Sequence, residues 1–361
     1  MRIYTKSFYL GAIILLFNPF LLSAQNNYVK KYANSLVFAG IEVGSKGVKM
    51  SLVEMEKTAL QNGSFSVMKD TTVNTDFISF TQSTYQATLA ALNKLYDIAL
   101  KEYSIPANQI FTAVSSGVNI QAVKENKLTW VDQLINAFRF NFNDPERKVS
   151  LIDVREEARL SHLGIVPDSR RYNTFLIDIG SGNTKGGFFP NDNTKDFKLF
   201  QLTWGTKSTS NTVEKRLEGD NSLENYNKQL ARVLAGAENT EIVYAVNESG
   251  SYPVSDNIAF SGGIAWSLAT LMYPELISNS VVPVTYEEVL IFNEKILKNH
   301  SSLSDNNIVK TLNDKTLDMG AIAKEVKRVN QVFDQRSLLA GTGLLLKIMR
   351  QFESVYEKKS F

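Results

Sequence analysis

The chain has 361 residues, of which 39 are Lys or Arg and 37 are Asp or Glu, so its formal net charge at pH 7 is +2. This near balance of charge gives no electrostatic reason to expect a nucleic-acid partner. Two histidines and no cysteine argue against a disulfide, a zinc site, a lipid-anchored cysteine and Ser-His or Cys-His catalysis.

The first 24 residues have the pattern of a signal peptide. Arg2 and Lys6 precede an apolar run over residues 8–22, and small residues follow it. The run is shorter than the roughly 20 residues that a membrane-spanning helix needs. We therefore predict that residues 1–24 are cleaved, which leaves a periplasmic or secreted protein with no stable membrane anchor. An uncleaved anchor is the alternative.

The mature chain opens with a predicted β-hairpin. An apolar run leads into Ile41-Glu42-Val43-Gly44-Ser45, and the chain returns through a second apolar run at 48–53. Beyond it, apolar residues at helical spacing alternate with short apolar runs, which is an α/β pattern. The predicted elements are helices at 83–103, 119–141 and 155–163 and strands at 109–115 and 148–152. We expect residues 28–166 to form the first domain.

A charged loop at 167–173 separates the two halves, and a second hairpin follows it. Its first strand ends in Asp178-Ile179-Gly180-Ser181-Gly182-Asn183-Thr184-Lys185, and it returns through 186–189. Further predicted elements are strands at 198–203, 242–246 and 257–260, helices at 209–235, 264–272, 285–299 and 344–356, and a polar, mobile stretch at 301–315. We expect residues 168–341 to form the second domain, with the closing helix joined to the first.

The acid-tipped hairpin therefore occurs twice, at Glu42 and at Asp178. Glycines at a strand end let backbone N–H groups approach a phosphate closely, although one such turn alone is more often an ordinary β-turn. Two copies indicate a duplication. They predict a duplicated α/β fold of the actin-like (ribonuclease H-like) type, with two domains around a central cleft that takes a nucleotide or a phosphate.

The chain resembles the exopolyphosphatase / guanosine pentaphosphate phosphohydrolase family in six segments that occur in order over essentially the whole mature chain. The segments are 41–45, 113–116, 151–164 with the sequence EEARL at 156–160, 177–184, 261–263 and 335–341. The EEARL segment followed by the Asp-Ile-Gly loop is the most specific part. The length fits the two-domain form of the family.

The resemblance implies a role for individual residues. It makes Glu157 the catalytic carboxylate that activates the attacking water, and Asp178 and Glu42 the carboxylates that hold Mg²⁺. The alternatives are a solvated helix acid for Glu157 and ordinary turns for the glycines. The implied phosphate-binding residues are Gly44, Ser45, Gly180, Gly182, Asn183, Thr184, Lys185, Gly262 and Gly263.

Glu42 stands where the family usually has an aspartate, and its side chain is one methylene longer. Two further positions depart from the family pattern by a change of charge. Lys185 stands where the family has a glutamate that contributes to the metal site, and Val118 stands where it has an arginine. A lysine cannot ligate Mg²⁺, but it can bind a phosphate as a point charge.

These residues predict an exported, Mg²⁺-dependent phosphoanhydride hydrolase that acts on polyphosphate or nucleoside polyphosphates. An apyrase-like nucleotidase is a second enzyme of the same fold. A non-catalytic protein that binds a phosphate ligand is the alternative from another class, and it is favoured by Lys185 and Val118. The expected partner is a polyphosphate or nucleotide substrate, and a homodimer is compatible with the sequence.

Overall fold

A computed structural model describes residues 28–45, 47–59, 64–251, 257–279, 281–314 and 316–353 of the protein. The predicted signal peptide at 1–24 lies outside these ranges. Within them, no helix has the length and apolar character needed to cross a membrane.

The first half of the chain folds around a five-stranded sheet in the order β3-β2-β1-β4-β5. Its strands are β1 (Ser35–Val43), β2 (Gly47–Glu56), β3 (Phe65–Asn74), β4 (Ile110–Val114) and β5 (Val149–Leu151). Its helices are α1 (Gln82–Asp97), α2 (Ser116–Lys124) and α3 (Leu128–Asn141). Buried and more exposed residues alternate along β1, so one face of the sheet packs into a core with these helices. We call this unit the first lobe.

The second half folds around a sheet in the order β8-β7-β6-β9. Helix α4 (Val154–Ile165) precedes it. The strands are β6 (Thr174–Ile179), β7 (Thr184–Phe188), β8 (Lys198–Leu202) and β9 (Asn257–Gly262). The helices are α5 (Thr206–Glu214), α6 (Leu223–Ala237), α7 (Val243–Ser249), α8 (Gly263–Met272), α9 (Tyr286–Asn299), α10 (Asp305–Thr311), α11 (Met319–Val332) and α12 (Gln335–Glu353). We call this unit the second lobe.

The two sheets repeat one topology. In the first lobe, β1 pairs antiparallel with β2 and parallel with β4. In the second lobe, β6 pairs antiparallel with β7 and parallel with β9. The predicted duplicated, actin-like α/β fold is therefore confirmed.

Helix α4 packs on the second sheet, although the predicted boundary at residue 166 assigns it to the first domain. Ala158 lies in a small cluster with Phe189 and Phe197, and the buried His162 is 2.9 Å from the Thr174 carbonyl oxygen through Nε2. The apolar spacing that predicts this helix does not say which of the two sheets it covers.

The closing helix differs from its prediction in extent and in packing. Helix α12 begins at Gln335 and is described as far as Glu353, whereas the prediction was 344–356. Leu338, Leu345 and Phe352 lie in the core of the second lobe. The expectation that this helix joins the first domain is therefore wrong, because its apolar face is buried against the second lobe.

Local patterns gave the wrong element at two further places. Residues 242–246 lie in a π-helical turn and α7 rather than in a strand, and Ile242 and Val246 are both buried on one face of it. The stretch at 301–315 contains helix α10. Strand β3 and helix α11 were not predicted, although Ile322, Val326 and Val329 follow helical spacing along α11 and partly buried residues recur along β3.

Candidate functional site

Two carboxylates and one ammonium group meet at the cleft. The Lys185 Nζ atom lies 2.6 Å from Oε1 of Glu157 and 3.9 Å from Oδ2 of Asp178. The three side chains are 12%, 18% and 22% exposed, respectively. The three positions that the sequence marked as most important are thus brought together by three separate elements.

Local structure explains this convergence. Lys185 on β7 lies directly opposite Asp178 on β6, so both side chains leave the same face of the sheet. Glu157 lies in the first turn of α4, which Asp153 caps by accepting the Glu156 N–H at 2.7 Å. A carboxylate in this turn is favoured by the helix dipole. The packing of α4 on β7 then directs Glu157 to the lysine.

Each carboxylate accepts a further hydrogen bond. The Ser116 backbone N–H, at the start of α2 in the first lobe, donates to Oε2 of Glu157 at 3.2 Å. The Ser261 hydroxyl, at the end of β9, donates to Oδ1 of Asp178 at 3.3 Å. Glu157 therefore contacts both lobes, whereas Asp178 is held within the second.

The pKa values of the two acids are shifted in opposite directions. Burial alone would raise the pKa of Glu157, but the charge of Lys185 and hydrogen bonds from Lys185 and Ser116 outweigh it, so its pKa is lowered. Burial raises the pKa of Asp178, and Lys185 and Ser261 offset this only in part while the Glu157 charge adds to it. Glu157 is therefore the carboxylate that stays ionised most readily.

The first loop lies beside the start of α2. The Gly44 N–H donates to the Gly47 carbonyl at 2.8 Å, which closes the hairpin turn. Ser45 Oγ lies 2.9 Å from the place that a Cβ on Gly117 would take, so the loop and the helix approach closely. Because the neighbouring Ser116 contacts Glu157, the first loop borders the acid cluster.

The second loop is held by helix α5. The Gly180 N–H donates to the Asn183 carbonyl at 3.0 Å, and the Gly180 carbonyl accepts the Thr206 N–H at 2.9 Å. The buried Thr184 hydroxyl donates to the Trp204 carbonyl at 2.7 Å, so it serves the loop rather than a ligand. Gly182 is exposed at the tip, with open space around its Cα.

The third loop joins β9 to α8. Gly262 has φ +92°, and a Cβ there would lie 2.3 Å from the Ile179 carbonyl oxygen and 2.7 Å from Oδ1 of Asp178. Gly263 begins α8, and a Cβ there would lie 2.7 Å from the ring of Phe333. Small residues are required here because the backbone passes directly behind the Asp178 carboxylate.

Glu42 occupies the equivalent place in the first lobe. It is half-buried on β1 and lies opposite Lys49 on β2, just as Asp178 lies opposite Lys185. The ammonium of Lys49 is near enough to Asp178 to lower its pKa. The sequence reasoning overlooked Lys49, although it follows its loop acid at the same spacing as Lys185.

The other departure from the family pattern lies away from the acid cluster. Val118 on α2 is fully buried in the core of the first lobe. Its side chain fills space between packed elements and brings no charge to the cleft.

Several solved structures share this fold. A Ppx/GppA phosphatase from Aquifex aeolicus, a type II variant, is similar with a TM-score of 0.60 and 15% identity over 90% of this chain and 94% of the other. A structure of the Aquifex aeolicus family member has a TM-score of 0.61 and 16% identity over 91% of this chain and 92% of the other. An exopolyphosphatase-like protein has a TM-score of 0.53 and 14% identity over 90% of this chain and 94% of the other.

Sequence comparison adds no further relative. No protein-family model matches the chain, and no curated protein matches it. The likeness to the solved structures establishes that this chain has the fold of the Ppx/GppA phosphatases. The predicted resemblance is confirmed at that level.

Proposed function

We propose that the protein hydrolyses phosphoanhydride bonds in this cleft, with polyphosphate or a nucleoside polyphosphate as substrate. One observation carries the proposal: Glu157 is ionised, mostly buried and held between Lys185 of the second lobe and the Ser116 N–H of the first. The exposed tip of the second loop at Gly182 has open space in which a phosphoryl group can approach the backbone closely.

The chemistry needs a positioned water and stabilisation of negative charge. The water oxygen forms a bond to phosphorus, the anhydride P–O bond breaks, and the proton of the water passes to Glu157 before it leaves with the products. A carboxylate with a lowered pKa is a weak base, so its main task is to orient the water. A phosphoryl oxygen that contacts Lys185 competes with Glu157 for the ammonium and so releases the carboxylate for this task.

Magnesium, which the resemblance implies, fits the residues poorly. The ammonium of Lys185 lies against Glu157 and Asp178 and would repel a divalent cation. In the ranges that the structure describes, no three His, Cys, Asp or Glu side chains form a group that could hold a metal.

The same ammonium supports a second candidate function, a phosphate-binding protein without catalysis. The Lys185 Nζ atom lies 2.6 Å from Oε1 of Glu157 and so pairs with the carboxylate that would otherwise orient the water. An apyrase-like nucleotidase remains a third candidate, and it differs from the first in substrate rather than in site.

The test is release of phosphate from polyphosphate, ATP and GDP, measured side by side with the wild-type protein and two variants. Glu157→Gln is expected to lower the rate by about 100-fold or more, because it removes the group that orients the water. Glu156→Gln is the matched control, since Glu156 pairs with Arg159 at 2.7 Å on the same helix. Equal rates for both variants would refute the role of Glu157, and tight binding without turnover would favour the phosphate-binding protein.

We propose export as well, on the basis of the apolar segment within residues 1–24. N-terminal sequencing of the protein recovered from the producing cell tests this. A mature chain that begins near Gln25 is expected, and an intact Met1 in the cytoplasmic fraction would refute it.

A further inference from the structure

We propose that the Lys185 ammonium takes the place of a metal ion in this site, so that the cleft binds a phosphoryl group without a divalent cation. The inference rests on the function proposed above, because it concerns how the same cleft neutralises phosphate charge.

The geometry is that of a cation held by two carboxylates. The Lys185 Nζ atom lies between Oε1 of Glu157 and Oδ2 of Asp178, at 2.6 and 3.9 Å. All three groups are mostly buried, so their charges are screened less than charges on the surface. The second oxygen of each acid is already bonded, to the Ser116 N–H and to the Ser261 hydroxyl. A metal ion would therefore have to displace the ammonium before it could bridge the two carboxylates.

The lysine is also held in place by the fold. It lies on β7 opposite Asp178, and β7 is paired on both sides, with β6 and with β8. An ammonium attached to an inner strand is present in every molecule at a fixed position, whereas a metal must be recruited from solution. A phosphate that enters the cleft meets this cation directly and gains charge-assisted hydrogen bonds from it.

Charge explains why a lysine can do this work. A glutamate with a bound divalent cation carries one net positive charge, and a lysine carries the same. The resemblance assigns a glutamate to position 185, so the exchange keeps the local charge while it removes a metal ligand. Lysine is thus a replacement for the glutamate and the ion together.

The first arm of the test uses Mn²⁺ alone, without any phosphate. Titration of the purified protein, followed by electron paramagnetic resonance, compares the wild type with Lys185→Glu and Lys185→Met. Lys185→Glu is expected to bind Mn²⁺ at least about tenfold more tightly than the wild type, because three carboxylates replace an ion-paired cluster. Equal affinity of the wild type and Lys185→Glu for Mn²⁺ would overturn the inference.

The second arm uses calorimetry with tripolyphosphate, in EDTA and in Mg²⁺. The wild type is expected to bind with affinities that agree within about threefold, and Lys185→Met to bind at least about tenfold more weakly in EDTA, because a charged hydrogen bond is lost. Lys298→Met is the matched control, since Lys298 is 68% exposed and pairs with Glu294 on the surface. Binding by the wild type only when Mg²⁺ is present would overturn the inference.

The two arms separate this inference from the proposed function. If neither tripolyphosphate nor a nucleotide binds under any condition, the proposed function fails, and the Mn²⁺ titration alone decides whether Lys185 excludes a metal. If Lys185→Glu does not fold, as judged by circular dichroism, Lys185→Met carries both arms, since it adds no negative charge to the cluster.

Discussion

Gly262 is a position in the site where no side chain fits. Its φ is +92°, and a Cβ would lie 2.3 Å from the Ile179 carbonyl oxygen and 2.7 Å from Oδ1 of Asp178. We expect Gly262→Ala to cost about 1 kcal/mol or more in unfolding free energy, from the strained backbone, and to displace the Asp178 carboxylate. Urea denaturation measures the first effect, and tripolyphosphate calorimetry measures the second as weaker binding.

Gly164 on helix α4 is the control for this prediction. Nothing lies within 4 Å of a Cβ built there. Gly164→Ala is expected to stabilise the protein by about 0.5 to 1 kcal/mol, because alanine loses less backbone entropy in a helix. If both variants kept full stability and full phosphate affinity, the close contact behind Asp178 would have no consequence.

At the scale of residues, the sequence identified the main side chains of the site and placed Lys185 near Asp178, but it did not identify the contact between Lys185 and Glu157. Glu157, Asp178 and Lys185 were named because each lies in a segment with a recognisable pattern. The ion pair between Lys185 and Glu157 depends on the packing of α4 on β7, which no local spacing encodes. The contacts of Ser116 and Ser261 likewise depend on tertiary structure, since each comes from a different part of the chain.

At the scale of elements, a cluster of charged side chains joins helix α12 to the buried Glu238, the residue that follows α6. Glu238 accepts a hydrogen bond from Lys347 at 2.7 Å, from Gln351 at 2.9 Å and from Arg350 through both oxygens. Burial would raise the pKa of Glu238, but these two cations and their hydrogen bonds outweigh it and lower the pKa. The ionised carboxylate therefore stabilises the folded state above its ordinary pKa, and this contribution is lost as the pH falls through the lowered one.

Glu238→Gln is expected to destabilise the protein by about 2 kcal/mol near neutral pH, because it leaves the partly buried Lys347 and the half-exposed Arg350 without a counter-charge. The difference from the wild type should shrink at a pH below the ordinary pKa of a glutamate, as the pH falls toward the lowered pKa of Glu238 and the wild-type carboxylate gains its proton. Urea denaturation at both pH values measures this. Glu294→Gln is the control: the Glu294–Lys298 pair is exposed, so its loss should cost less than about 1 kcal/mol at either pH.

The sequence predicted the two hairpins best, because local features are enough to define them. Each hairpin consists of two apolar runs joined by a glycine turn, and the turn fixes which residues of the two strands lie opposite each other. Helix α12 was predicted too short and on the wrong lobe, because its apolar residues fit either core and only the folded chain selects one. The residues at 242–246 show the same limit. Their β-branched side chains are typical of a strand, but in the folded chain they lie in a π-helical turn and in α7.

At the scale of the whole molecule, the described contacts between the lobes include one at the acid cluster and one outside it. The Ser116 N–H of the first lobe reaches Glu157 at the acid cluster. Away from it, Arg328 on α11 contacts Asp70 on β3 at 2.8 Å. Arg328 is itself oriented by Glu325 at 2.7 Å and by the ring of Trp266 at 5.4 Å. This second contact restrains the distance between the lobes without entering the site.

Asp70→Asn tests that restraint. The pair is 38% and 41% exposed, so its loss is expected to change the free energy of unfolding by less than about 1 kcal/mol. Its effect should appear in the separation of the lobes, because it removes a point of attachment between them. Since the chain contains no cysteine, spin labels on Lys124→Cys and Lys215→Cys, one on each lobe, report that separation alone.

We expect the Asp70→Asn protein to show a broader distance distribution than its Asp70 parent at low salt, and the parent to approach it in about 1 M salt, where charges are screened over roughly 3 Å. Identical distributions at low salt would show that the lobes are held together without this pair.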